Sequence, residues 1–214
     1  MKENRAKKFG EVFTAKKEVN NMLNLVENET VRIDSRFLEP ACGDGNFLIK
    51  ILERKLNIIE KKYKNSQIEY ERYTVQAISS LYGIDILEDN AKNCRKRLSE
   101  FFLQSYKKLF KDSFKNKFIK SIDFILSLNI VWGDAISLKT VKNKTPIIFS
   151  EWSFITGSMI KRTDYSFSDL ISYQPFEKGT LFSDLGDRVI IPDPLHSYKP
   201  SHYLNLEENV KEKF

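Results

Sequence analysis

The sequence predicts an α/β protein built on a doubly wound, largely parallel sheet, and three observations carry that prediction. Apolar strand-like runs alternate with stretches of helical period between residues 36 and 154. The first run, Phe37-Leu38-Glu39-Pro40-Ala41-Cys42-Gly43-Asp44-Gly45-Asn46-Phe47, passes through a glycine turn straight into a helical pattern. Two later runs end on acids, Asp85 and Asp134. Carboxyl ends of strands are where open α/β sheets keep their ligands.

Near the start, Lys16 to Leu25 carries Val19, Met22, Leu23 and Val26 at helical spacing, with Thr14 as an N-cap. A polar loop, Glu27 to Ser35, precedes a short strand from Arg36 to Glu39. The helix beyond the glycine turn, Leu48 to Leu56, sets Phe47, Leu48, Ile51, Leu52 and Leu56 on one face and runs on into a charged stretch. A second helix covers about Gln67 to Ile78. Leu81 to Ile86 reads as a strand ending at Asp85, and Asp89 and Asn90 open a helix carrying Ala91, Cys94, Leu98, Phe101 and Phe102. An irregular aromatic and lysine-rich segment through Tyr106, Phe110 and Phe118 leads to a strand over Asn129 to Ala135. Pro146 to Phe154 reads as the fourth strand of the sheet with its loop. Beyond it the pattern weakens to a short helix, Ser166 to Ser172, a strand over Asp187 to Pro192, and a charged tail from Glu207. Three units are expected: residues 1–26 closing over a ligand, 27–160 as the core, and 161–214 as an extension that completes the sheet or meets a partner.

A chain of 214 residues, 41% hydrophobic and 13% aromatic, is long enough to bury one sizeable core. The charged N-terminus lacks an apolar signal-peptide core, and nowhere do 18 apolar residues run together. That excludes a spanning helix and points to the cytoplasm. Two cysteines and two histidines, His196 and His202, lie too far apart in sequence for the spacing of a structural zinc site, so no metal is expected. The net charge of +6 permits a polyanionic partner. Between Glu88 and Lys120 ten Lys or Arg stand against four Asp or Glu; this basic aromatic segment suits either a solvated helix face or single-stranded nucleic acid.

The chemistry of the turn narrows the ligand. Gly43 and Gly45 can take positive φ and leave room for close approach. Glu39 and Asp44 flank them, and two carboxylates beside a helix N-terminus would repel a phosphate while suiting an ammonium. Asp85, at the end of the second strand, is placed to accept the hydroxyls of a ribose, although it lies farther along than the usual ~20 residues. For Asp44, Asp85 and Asp134 a purely structural role as cap or turn former competes with each of these roles.

Taken in order, these residues resemble the S-adenosylmethionine-dependent DNA amino-methyltransferases of restriction–modification systems, particularly the adenine-N6 group, over residues 7 to 154. Phe9-Gly10-Glu11-Val12-Phe13-Thr14 is similar to the family's N-terminal GxxFTP segment, with Ala15 in place of the proline; Glu39 through Phe47 is similar to its DPACGSGxF turn. Gly83-Ile84-Asp85-Ile86 and Gly133-Asp134-Ala135 resemble its ribose and adenine motifs. The resemblance implies a Rossmann-like, class I methyltransferase fold and S-adenosylmethionine as cofactor. It implies a cofactor site of Phe9, Phe13, Thr14, Glu39, Pro40, Ala41, Gly43, Asp44, Gly45, Asn46, Phe47, Asp85, Ile86, Asp134 and Ala135. Asp44 and Glu39 would surround the ammonium, Thr14 would lie near the methionine carboxylate, Asp85 would take the ribose, Ile86 would lie on the adenine ring and Asp134 would accept from its amine.

The catalytic motif departs from the family. Where its adenine-N6 members carry an Asn/Asp/Ser-Pro-Pro-aromatic turn, this chain has Ser150-Glu151-Trp152-Ser153, without either proline. Ser150, Glu151 and Trp152 are the catalytic candidates, as acceptor, base and stacking ring; Asp193-Pro194-Leu195-His196 is a second, less matched segment. The chain also leaves little room for a target-recognition domain, so the expected partner is nucleic acid, DNA first, with specificity supplied by a separate subunit. A cofactor-binding subunit without catalysis, and a methyltransferase acting on RNA or protein, stay open beside that reading.

Overall fold

In the computed structural model the described residues are 14–172 and 193–211. The opening helix α1, Lys16–Asn24, buries Val19 and Leu23, as its periodicity predicts. Its N-cap is Ala15, which has no side-chain oxygen to offer, and not Thr14; the carbonyl of Ala15 accepts from the Val19 N–H at 3.0 Å. A four-residue turn of helix, α2 (Glu27–Thr30), replaces part of the expected loop.

Three parallel strands form the centre: β1 (Phe37–Glu39), β2 (Leu81–Asp85) and β3 (Ile130–Asp134), side by side in sequence order, with β1 on β2 and β2 on β3. The two crossovers are helical. The first holds α3 (Asn46–Tyr63) and α4 (Gln67–Ser79); the second holds α5 (Glu88–Phe110), a 3-10 turn at Lys111–Ser113, and α6 (Asn116–Asn129). The segment after Phe102 that looked irregular is therefore helix. Phe102, Tyr106, Phe118, Ile122 and Ile125 are all fully buried, and Lys111, at φ +34°, makes the break between the two helices. Asn129, expected in the strand, closes α6 instead.

Strands added in sequence order through crossovers of one hand put their helices on one face. Side chains alternate along a strand, and the burial follows that alternation. Leu81 and Ile130 enter the large core with α3 to α6, whereas Ile84, one position off, belongs to a second cluster with Ile147, Phe149 and Phe167. Each fully buried leucine or isoleucine contributes about 2 kcal/mol.

Among the described residues the second face is covered mainly by strands, joined by Phe167 at the start of a short helix. The two-residue strand β4, Lys139–Thr140, pairs antiparallel with β3. Then β5 (Ile148–Thr156) and β6 (Met159–Ser166) form a long antiparallel hairpin, followed by α7 (Phe167–Ser172) and two short strands against β6: β7 (His196–Ser197) and β8 (Ser201–His202). The fourth strand is thus present but does not join the parallel sheet: among the described residues nothing pairs with the outer edge of β1. The reversal of strand order that makes a sheet doubly wound is absent among those residues, and the architecture shown is α/β with one mixed and one antiparallel sheet. The hairpin straddles the expected boundary between the core, ending at residue 160, and the C-terminal extension from residue 161. The expected strand over 187–192 lies outside the described residues.

A buried polar network ties the tail to the helices. Glu71, fully buried on α4, accepts from Gln67 Nε2 at 2.9 Å, from Tyr106 and Tyr203 hydroxyls, the latter at 2.6 Å, and from Lys115 Nζ at 2.7 Å. Burial first, and the Glu71 hydrogen bond next, push both tyrosine hydroxyls well above their ordinary pKa, so they stay donors. A terminal 3-10 helix, Leu206–Lys211, follows Tyr203. Glu71→Ala removes the acceptor shared by two buried hydroxyls and an ammonium, and is expected to destabilise the fold by roughly 3 kcal/mol in urea unfolding. A loss under about 0.5 kcal/mol would show that the network does not hold the tail.

Candidate functional site

The glycine turn takes its shape from a close approach to α5. Gly43 and Gly45 have φ of +52° and +93°, and a Cβ on Gly45 would lie 2.7 Å from Cys94 Sγ. Gly83 on β2 lacks room as well: its Cβ would meet Cys42 Sγ and the side chains of Leu48 and Ile130, each at 3.1 Å. The buried thiols of Cys42 and Cys94 face each other under the turn; their mutual hydrogen bond, then burial, raises the Cys42 pKa far above the ordinary thiol value.

The turn is bonded to the end of β2. Gly43 N–H donates to Asp85 Oδ2 at 2.8 Å, Leu87 N–H to Asp85 Oδ1 at 2.8 Å, and Asn90 Nδ2 to Oδ1 at 3.3 Å. Asp85 is 7% exposed. Its carboxylate thus fixes the turn after β1 against the start of α5, a structural role that leaves part of its acceptor capacity. Cys42 N–H to Ile84 O, at 2.9 Å, extends the strand pairing to the same point.

The other acids share this edge. Asp44 Oδ2 pairs with Arg97 at 2.6 Å, while its Oδ1 is buried with no hydrogen-bond partner among the described residues. Glu39 is half-buried, and burial raises its pKa against the opposing pull of the Ala41 N–H. Asp134, across β3, forms a turn. The Ser137 hydroxyl first, and the Ile136 N–H next, hold its pKa below the ordinary carboxylate value, with Ile136 N–H to Oδ1 at 2.9 Å. Ile86 is 45% exposed beside them.

The remaining expected cofactor residues fall as follows. Pro40 and Ala41 are exposed on the turn, Asn46 opens α3, Phe47 packs on the helix-side core, and Ala135 packs against the second cluster. Thr14 is half-buried just before α1; Phe9 and Phe13 lie outside the described residues. Two residues that the sequence reading passed over belong here. Trp132 Nε1 donates to the Ile86 carbonyl at 3.0 Å, beside Asp85 in the strand register. Arg97 donates to the Asp44 carbonyl at 2.6 Å and to Asn46 Oδ1 at 3.0 Å. The only sequence signal for Trp132 is an aromatic two positions before a strand-end acid, and Arg97 is hidden within a run of basic helix residues.

The catalytic candidates are not brought to this edge. Beginning near Gly133, where Ile147 packs, β5 crosses the sheet face in the direction opposite to the parallel strands. Tyr82 Oη donates to the Ser150 carbonyl at 3.1 Å, Glu151 pairs with Arg36, just before β1, and Trp152 Nε1 donates to Asn129 Oδ1 at 3.4 Å, just before β3. Ser150, Glu151 and Trp152 therefore sit toward the amino ends of the strands, and Asp44, Asp85 and Asp134 at the carboxyl ends. Ser150 Oγ donates to Asp164 Oδ1 at 2.6 Å and accepts from Arg162 Nε at 3.0 Å. Arg162 also holds Asp164 at 2.7 Å and stacks 4.3 Å from the Tyr198 ring centroid. Asp193 to His196 joins the same sheet, with Leu195 N–H donating to the Asp164 carbonyl at 2.8 Å and His196 paired with Asp164. Every polar atom named in this network has a partner, and it reads as a brace for the hairpin.

Comparison of the chain with family models, curated proteins and solved structures finds no match. No described helix is long and apolar enough to cross a membrane.

The glycine turn is the site's mechanical base. Gly45→Ala combines a disfavoured φ with a 2.7 Å clash against Cys94 Sγ, and should lower stability by about 2 kcal/mol; Cys94→Ala in the same chain relieves the clash and should restore part of it. Chemical denaturation checks both, and a neutral Gly45→Ala would remove the close approach from the account.

Proposed function

We propose that this chain binds S-adenosylmethionine across the carboxyl ends of β1, β2 and β3, as a Rossmann-like cofactor domain of the DNA amino-methyltransferase type. The observation that carries the reading is the 2.8 Å bond from Gly43 N–H to Asp85 Oδ2, which locks the glycine turn to the acid of the next strand. It puts the turn that suits an ammonium and the acid that suits a ribose on one strand edge, in the order the motifs have. The residues fit such a cofactor on a second ground: Asp44 Oδ1 is a buried acceptor that lacks a donor among the described residues. Buried polar atoms without partners are few, and an ammonium would satisfy this one. Ile86 and Trp132 offer apolar surface for a purine beside Asp134.

When bound, the cofactor supplies a methyl group on a sulfonium, transferable to a nucleophile such as a base amine. The chain's own part is to hold the headgroup at Asp44 and Glu39, the ribose at Asp85 and the purine between Ile86 and Asp134. Nucleic acid, DNA first, is the proposed acceptor, with a separate subunit supplying sequence recognition. The placement of Ser150, Glu151 and Trp152 toward the opposite ends of the strands favours a second reading: a domain that binds the cofactor and positions DNA without catalysing transfer. Transfer of label from the cofactor to a mixed DNA, RNA and protein pool separates the two.

Calorimetric titration with S-adenosylmethionine tests the binding. Saturable binding that weakens at least about tenfold in Asp85→Ala and in Asp134→Ala supports it. No heat at millimolar ligand, or undiminished binding in both variants, would remove the cofactor reading.

A further inference from the structure

Arg97 sits on α5 one helical turn beyond Cys94 and reaches back over the glycine turn. Its Nη1 donates to the Asp44 carbonyl at 2.6 Å and forms an ion pair with Asp44 Oδ2 at 2.6 Å, and its Nη2 donates to Asn46 Oδ1 at 3.0 Å. A lysine could supply charge here but not this fork, because only a planar guanidinium engages several acceptors in fixed directions. As a staple alone the pair would contribute little, since part-exposed ion pairs are weak. What the fork does is set the Asp44 rotamer, with one carboxylate oxygen clamped and the other, Oδ1, buried without a donor among the described residues. Leaving such an oxygen unsatisfied is costly, so a donor on a ligand is favoured there. The Arg97 side chain stays 36% exposed, and its guanidinium has N–H groups beyond those used in these contacts. An ammonium and a carboxylate carried on one carbon match both features: a donor for Asp44 Oδ1 and an acceptor for Arg97.

We propose that Arg97 is a positioning residue whose fork on Asp44 and Asn46 makes the turn selective for ligands bearing an α-amino-acid headgroup over bare nucleosides. This rests on the cofactor reading above. It adds the source of selectivity, which lies on α5 and not in the glycine turn.

The test compares two neutral thioethers that share an adenosine: S-adenosylhomocysteine, which has the headgroup, and 5′-methylthioadenosine, which lacks it. Each is titrated into the wild-type chain, Arg97→Gln and Arg97→Lys. The expected result is a loss of about tenfold in S-adenosylhomocysteine affinity in Arg97→Gln. Affinity for 5′-methylthioadenosine should change less than about twofold, and Arg97→Lys should fall between wild type and Arg97→Gln for the first ligand only. Equal losses for both ligands would mean that Arg97 merely holds the turn together, and overturn the proposal. So would unchanged affinity for both. If the wild-type chain binds neither ligand, the cofactor reading falls and this inference with it; if it binds both and the ratio does not move, only the role of Arg97 falls.

Discussion

The structure depends on one close approach, that of the turn after β1 to the flank of α5. Gly45 lies against Cys94, Gly83 admits Cys42, and Asp85 accepts from both the Gly43 and the Leu87 amides. Any side chain at Gly45 would push the turn off the helix. The bond that fixes the turn to the second strand would then lengthen, and with it the relation between Asp44 and Asp85. Interiors packed as densely as organic crystals pass such a displacement to their neighbours, because there is little free volume to absorb it.

The remaining layers follow from how the strands are added. Three strands laid down in order carry all four crossover helices on one side, leaving Tyr82, Ile84 and Val131 bare on the other. In a doubly wound sheet, helices from the returning half would cover that face. Here the β5–β6 hairpin covers it, through Ile147 and Phe149, and then passes the amino ends of the strands to meet α4 and α6 with Trp152 and Phe154. A strand that lies across the sheet instead of within it cannot deliver its residues to the carboxyl ends. The missing Pro-Pro turn and the path of β5 thus differ from the expected arrangement together, once in sequence and once in space.

How much of this was legible in the sequence varies by element, for physical reasons. Strong helical period placed α3 and α4 to within a few residues, and the three parallel strands were marked by apolar runs ending in glycine or acid. The acids at the carboxyl ends of the strands were legible because they close apolar runs, and such ends are where open α/β sheets keep their ligands. The helix over Asn116–Asn129 was missed because aromatics on nearly every side of Phe102 to Phe118 blur a 3.6-residue period; those rings fill a core that packs them from several directions. The placement of β5 was missed because a nine-residue strand with mixed burial looks the same whether it joins a parallel sheet or folds into a hairpin. Only pairing decides, and Met159–Ser166 has little apolar alternation to announce itself as the partner. Arg97 acts at a distance in sequence, from a helix whose basic residues mostly face solvent. The Thr14 cap failed because Ala15, a poor capping residue, occupies the cap position.

The central claim is that a ligand enters at the carboxyl ends of β1 to β3 and not at the hairpin on the opposite side. Backbone amide shifts recorded while S-adenosylhomocysteine is titrated into isotope-labelled protein test that claim most directly. The account predicts perturbations at Gly43, Asp44, Gly45, Ile86, Leu87 and Ala135, with Ser150, Glu151, Trp152 and Arg162 unmoved. Shifts confined to that second group, or no shifts at saturating ligand, would contradict it.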